Sequence, residues 1–322
     1  MVTESTPSTR TAGSREHAAP GRSGPPPLRA RTGAGRGVQQ RTYSYLFYAP
    51  AGIVYLTIFV LPTAIAFYFA LTRWTLFETT FTGLDNFRQF FAEQDLVSSL
   101  YHTLIYAVIT SGLKVILGML LAVLLTSRLR TRGFLRSVVF FPVLVSTVAV
   151  GITFNVLLQP DTGLVAKVLG WFGITSPDWL GDQSTALYSV AFVDVWKGVG
   201  LATVIYIAGI VSIPPNYYEA VAVDGGGAWA KFWHVTLPLS RPATFTVILL
   251  SLIGGLRSFD LIWTMTGGGP GFSSDVIASI IYKQYQAGFY GLATAGNVVL
   301  FILVTAIVLP LFRYFSSREV EL

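Results

Sequence analysis

The chain has no cysteine among its 322 residues. Disulfides, thiolate nucleophiles and iron–sulfur ligation are therefore outside its chemistry. Charge is scarce too: Asp, Glu, Lys and Arg make up 12%, where soluble domains carry about 25%. With a mean hydropathy of +0.60, the composition is that of a membrane protein. The three histidines, His17, His102 and His234, are too scattered for a metal site and read as interfacial or loop residues. No Gly-Lys dipeptide occurs, so the phosphate-cradling loop G-x-x-x-x-G-K-[ST] cannot be built. A Gly-x-Ser-x-Gly elbow is also missing, which leaves a membrane enzyme without machinery.

Long apolar runs are plentiful. Crossing a bilayer takes about 20 apolar residues, and six runs qualify: 45–71, 104–126, 135–158, 186–211, 243–265 and 291–312. Pro62 and Pro142 are positioned to kink or bound their helices, which neighbouring helices in a membrane can accommodate. The first run is too long and begins too late for a cleaved signal peptide. Lys and Arg set the orientation. With the N-terminus inside, the inner pieces (the tail, 127–137, 212–242 and the C-terminal end) hold seven, four, two and two. The outer pieces (73–102, 159–184 and 266–289) hold two, one and one. The expected fold is all-α and polytopic, with six transmembrane helices and both ends inside.

Residues 1–43 carry seven Arg among Pro, Gly and Ser, a composition that reads as a disordered basic cytoplasmic tail. Nucleic acid is not its expected partner; basic residues beside a first span hold that end inside. Residues 44–322 form the membrane domain. The outer stretch 73–102 is rich in aromatics suited to the membrane interface. In 266–289, Gly267-Gly268-Gly269-Pro270 ends the fifth helix. The run SDVIASIIYKQYQ then predicts a short amphipathic helix capped by Ser273 or Ser274. No internal repeat of the secondary-transporter kind is visible.

The segment 213–242 is far longer than a bare connection between two spans requires. Pro214 and Pro215 stop the fourth helix. Asn216, with Glu219 three positions on, predicts a capping box. About two turns follow, from Tyr217 to Val223. Gly225, Gly226 and Gly227 terminate them, because glycine enters the left-handed region at no steric cost. A second short helix begins near Ala228, and Asp224 is positioned to cap it. Ala220, Ala222 and the glycines leave a smooth surface for close approach, while Tyr217, Tyr218, Trp229, Phe232 and Trp233 offer anchors. The segment reads as a docking device.

Glu219-Ala220, Asp224-Gly225, Phe232 and Leu237-Pro238 resemble the EAA loop of permease subunits in binding-protein-dependent ABC importers. The likeness is closest to the sugar importers of the maltose and glycerol-3-phosphate type. Leu46-Phe47-Tyr48-Ala49-Pro50, Gly83-Leu84-Asp85-Asn86-Phe87 and Phe259-Asp260 with Gly267-Gly268-Gly269-Pro270 extend it over about residues 45–320. Two positions depart from the pattern: Val221 and Gly226 stand where the family usually has alanine.

The resemblance implies that Tyr218, Glu219, Ala220, Ala222, Asp224, Gly225 and Phe232 couple the chain, through a cytoplasmic coupling helix between spans four and five, to a separate ATPase. Glu219 would be the main polar contact and Gly225 the turn. It also implies a second permease, two ATP-binding cassette subunits and an external solute-binding protein around this chain in a bacterial cytoplasmic membrane. The chain itself would be non-catalytic and bind no cofactor; ATP and Mg²⁺ belong to the partner.

Charges inside spans are costly and need partners or water. Asp194 and Lys197 lie in the fourth run, Arg257 and Asp260 in the fifth, and Asn297 in the sixth. At about 1.5 Å per residue, Asp194 and Arg257 reach equal depth, which predicts a contact or a shared polar chamber. Lys114 has no evident partner. Structural ion pairing is one reading of these groups. The other is a sugar path in which Trp196, Phe259 or Trp263 stacks on sugar rings. An ion-coupled secondary transporter is the alternative function, but acids beside basic residues suit charge pairing better than ion coupling.

Overall fold

The run from Ala186 to Val211 is mostly apolar despite Asp194 and Lys197, and it forms one unbroken helix with those very limits. A computed structural model describes residues 45–75, 77–127 and 130–317. The basic tail therefore lies outside the described residues. The chain divides into two units at Leu56/Thr57. Of the smaller, the described residues form a short turn and the opening of the first helix.

The elements in chain order are α1 (Ala49–Ala70), the strands β1 (Thr72–Trp74) and β2 (Thr79–Phe81), α2 (Asp85–Ala92), α3 (Gln94–Thr126), α4 (Arg132–Leu144), α5 (Thr147–Leu157), α6 (Leu164–Trp171) and α7 (Ala186–Val211). Then come α8 (Pro215–Val223), α9 (Ala228–Leu239), α10 (Arg241–Leu256), α11 (Asp260–Met265), α12 (Ile277–Gln286) and α13 (Tyr290–Ser316). Among the described residues four helices, α1, α3, α7 and α13, are long and apolar enough to cross a membrane singly. Two bent pairs pass together: α4 with α5, at 98°, and α9 with α10, at 67°.

The third apolar run bends near Pro142, which was positioned to kink or bound its helix. Pro142 sits inside α4, removes a backbone donor, and the helix stops two residues later before turning sharply into α5. Two expectations needed correction. The fifth run is interrupted at Arg257–Phe259, between α10 and α11. The fold is not purely helical, because β1 and β2 form an antiparallel hairpin with Arg73 opposite Thr80.

Small residues set the helix contacts, as expected where lipid supplies no hydrophobic drive between helices. A Cβ at Gly118 would press on Ala202, joining α3 to α7, and one at Gly255 would press on the Ala107 backbone, joining α10 to α3. The core has three main clusters. Tyr106, Val150, Val190, Leu261, Ile262 and Met265 unite α3, α5, α7 and α11. Phe90, Leu96, Ile277, Ile280 and Leu292 unite α2, α3, α12 and α13. Met119, Ala202, Tyr206, Ile210 and Val247 unite α3, α7 and α10, and Phe232, Leu237 and Ala243 pack on them.

The outer motifs acquire physical roles. The buried Asn86 amide donates to the carbonyls of Ala70 (2.9 Å) and Thr72 (2.8 Å), closing the exposed end of α1. Helix α12 forms as expected, but neither Ser273 nor Ser274 caps it. Ser274 donates to the Gly269 carbonyl and closes the glycine loop. Ser279 accepts the Val276 N–H at 3.0 Å, and Thr103 of α3 accepts the Ile277 N–H at 2.9 Å.

Candidate functional site

Helix α8 begins at Pro215, whose missing N–H costs nothing in a first turn. Pro214 is the N-cap and no side chain caps the helix, so the expected Asn216–Glu219 box does not form. Asn216 is already inside the helix. The C-terminus does follow expectation. Gly226 N–H donates to the Val221 carbonyl at 2.8 Å and Gly225 N–H to that of Ala222 at 3.1 Å. With Gly225 at φ +80°, this is a Schellman closure that requires glycine at that position. Asp224 ends α8 and does not cap the next helix, which starts from Gly227 without a side-chain cap.

The seven loop residues separate into two groups. Glu219, Ala220, Ala222, Asp224 and Gly225 are exposed, next to Val223 at 87% and Trp229 at 73% exposure. Glu219 makes no hydrogen bond or ion pair among the described residues and is free to meet a partner. Tyr218 and Phe232 turn the other way. The Tyr218 hydroxyl meets Thr236 Oγ1 at 3.2 Å, and Phe232 packs against the α3–α7–α10 core. A surface made of the first five is thus fixed to the bundle by the last two.

Inside the bundle, the expected Asp194–Arg257 contact is absent. Asp194 Oδ2 instead accepts from Lys114 Nζ at 2.7 Å, and this supplies the partner Lys114 lacked in the sequence. Lys114 is buried and its side chain lies on Gly198, where a Cβ would collide with it. The depth comparison treated the fifth run as a straight helix, whereas its path breaks at Arg257. The group beside Asp194 is instead the fully buried Tyr106 hydroxyl, which has no hydrogen-bond partner among the described residues. Arg257 and Asp260 are exposed and Lys197 half-buried, and none of the three forms an ion pair among the described residues.

The aromatic residues distribute differently from the charges. Trp196 packs on Phe154, ring centroids 5.1 Å apart. Phe259 stacks on Trp263 at 5.7 Å, and Tyr282 stands edge-on to both. Phe259 and Asn297 share a groove of about 320 Å³ with Tyr282, Tyr285 and Thr294. Asn297 makes one long bond, 3.3 Å, to its own helix at Ala293. Tyr282 and Tyr285 escaped the sequence reading, although their three-residue spacing on an amphipathic helix marks a single face.

Between α11 and α12, outside the spans, the buried Asp275 carboxylate receives Lys283 Nζ at 2.5 Å and Ser279 Oγ at 2.7 Å. Gly268 abuts it with no room for a Cβ. Burial pushes the Asp275 carboxyl above its usual range, while Lys283 and Ser279 pull the other way.

Comparison with known proteins identifies the family. Residues 114–320 match the family model described as binding-protein-dependent transport system inner membrane component. The probable ABC transporter permease protein YurN of Bacillus subtilis is 33% identical over 88% of this chain and 99% of its own length. The trehalose/maltose transport system permease protein MalF of Thermococcus litoralis is 32% identical over 81% of this chain and 89% of its own. Among solved structures, a chain of a bacterial ABC transporter involved in import of the acidic polysaccharide alginate superposes with a TM-score of 0.76 at 25% identity, covering 86% of this chain and 96% of that one. The matching family model and these relatives make the chain a member of the binding-protein-dependent transport system inner membrane component family.

Proposed function

We propose that this chain is the permease subunit of an ATP-driven importer and that, with a second permease, it forms the path for a sugar or related solute brought by an external binding protein. In this reading both bent helix pairs are spans, giving six, with both chain ends in the bacterial cytoplasm. The observation that carries it is α8. Its exposed face holds the protruding Val223 and Glu219, which makes no ion pair or hydrogen bond among the described residues, while Tyr218 ties the helix to Thr236 of α9, whose Phe232 packs on the bundle.

A helix held in this way transmits displacement instead of absorbing it. ATP binding draws two cassette subunits together and swings α8, with Glu219, Ala220, Ala222, Asp224 and Gly225 as the contact. The bundles then open outward to receive solute, and hydrolysis resets them. The chain performs no catalysis of its own. On the solute side, Arg257, Phe259, Asp260 and Asn297 are the proposed contacts, since exposed polar groups at that depth suit a wet path better than lipid. Asp194, Trp196 and Lys197 line the path's inner wall, with Asp194 neutralised by Lys114. That neutralisation leaves Asp194 unavailable for ion coupling. The names of the relatives, which include trehalose/maltose and arabinooligosaccharide transport, support a carbohydrate.

The test is a cysteine at Ala220 in this cysteine-free chain, paired with single cysteines on a cassette subunit reconstituted with it. The expected result is a disulfide crosslink and uptake that stops when ATP is depleted. Uptake that persists without ATP refutes the proposal.

A further inference from the structure

Between Asp95 and Asp161 the chain contains no Asp or Glu, yet residues 128–136 carry four arginines. Basic residues at a span end serve topology when they sit in water. Arg130 and Arg132 are exposed and fit that role. Arg136 does not. It lies four residues into α4, about 6 Å along the helix, and is half-buried. One guanidinium nitrogen donates to the Leu125 carbonyl at the end of α3, at 2.9 Å. Its Nε is buried with no acceptor. No carboxylate lies within ion-pair distance among the described residues. A cation removed from water without a counter-charge is costly, and no described residue supplies one, so the site calls for an anionic ligand.

The surroundings indicate what carries that anion. Arg136 and Ser137 stand at one end of a groove of about 320 Å³ between α4 and α7. Beyond them the lining is Val139 and Phe140 on one wall and Val204 and Ile207 on the other. Gly200 forms the floor; a Cβ there would run into the Val139 carbonyl, so the two helices touch at that point. A free phosphate would gain nothing from these apolar walls. A molecule with a phosphate at one end and an acyl chain at the other satisfies both ends of the groove. Basic pockets between membrane helices near the bilayer surface are suited to anionic lipid headgroups.

We propose that the α4–α7 groove binds one anionic phospholipid, its phosphate on Arg136 and Ser137 and an acyl segment along Val139, Phe140, Val204 and Ile207. The inference is independent of the solute and of the ATPase.

The experiment uses the full-length chain, delipidated in detergent and titrated in native mass spectrometry. The probes are phosphatidylglycerol, phosphatidylcholine with the same acyl chains, and inorganic phosphate. One phosphatidylglycerol should be retained in preference to phosphatidylcholine, and inorganic phosphate should not displace it. Arg136→Gln, which keeps a donor for the Leu125 carbonyl, should weaken retention about tenfold, as loss of a charge-assisted contact does. Val204→Trp fills the groove from an exposed position and leaves Arg136 in place, so it should do the same even if Arg136→Gln fails to fold. Equal retention of the two lipids, displacement by inorganic phosphate, or undiminished phosphatidylglycerol binding in the folded variants would overturn the proposal.

Discussion

At the residue scale, the two departures from the family pattern turn out to be one feature. A Cβ at Gly226 would lie 2.5 Å from Val221 Cγ1 and 2.8 Å from the Val221 carbonyl oxygen. Valine at 221 occupies the space an alanine at 226 would need. Gly226→Ala alone should therefore destabilise by about 1–3 kcal/mol, the usual cost of overpacking. In a Val221→Ala background the cost should fall by about 1 kcal/mol, because the methyl clash disappears and only the carbonyl contact remains. Thermal unfolding of the four proteins of this cycle measures the coupling, and strict additivity would contradict it. The Lys114–Asp194 pair gives a second test of the same kind. Removing either partner leaves a buried charge unpaired at a cost of about 3 kcal/mol, while removing both, as Lys114→Met with Asp194→Leu, should cost far less than the sum. Asp194→Ala and Arg257→Ala, by contrast, should add to within about 0.5 kcal/mol, as unconnected sites do.

At the scale of elements, α12 shows how a buried charge fixes a helix in place. Asp275 joins Lys283 and Ser279 of α12 to the glycine loop, while its carbonyl contacts His102 Nδ1 at 3.0 Å. The native carboxyl is raised, chiefly by burial, so the folded chain holds this proton more tightly than the unfolded one does. Its contribution to stability is therefore greatest at acid pH and declines as pH rises through the native value. Asp275→Asn should flatten that dependence above the free carboxylate's pKa of about 4, which melting temperatures measured upward from there would reveal; an unchanged slope would place its origin elsewhere. This clasp was not legible in the sequence, because Asp275, Lys283, Gly268 and His102 meet only through tertiary packing. What could be read was whatever depends on local chemistry. Apolar length gave α7, and glycine in the left-handed region gave the end of α8. The Asn216 box failed because Pro215 had already started the helix one residue earlier. The break at Arg257 was hidden because a run stays apolar whether or not its helix is continuous, and partner choice inside the bundle was hidden because depth alone does not say which helices touch.

For the whole molecule, what matters is whether motion at α8 reaches the bundle. Two connections join the exposed knuckle to the membrane helices: the Tyr218–Thr236 hydrogen bond and the packing of Phe232 on the cluster formed by Met119, Ala202, Tyr206 and Val247. Neither belongs to the exposed set that includes Glu219, so docking and transmission are separable. Glu219→Ala should weaken capture of the cassette subunit and lower both ATP hydrolysis and uptake. Phe232→Ala should leave capture intact. It removes a half-buried ring, at a cost of about 2 kcal/mol in local packing, below the 3–5 kcal/mol of a fully buried phenylalanine. The knuckle can then move without carrying the bundle with it. Reconstituted transporter bearing Phe232→Ala should therefore hydrolyse ATP at or above the normal rate while moving several-fold less solute per ATP, and Phe232→Leu should restore most of the ratio by refilling the site. If uptake and hydrolysis fell together in Phe232→Ala, as they should in Glu219→Ala, the inner face of the loop would be part of the docking surface and the lever would have no separate transmitting half.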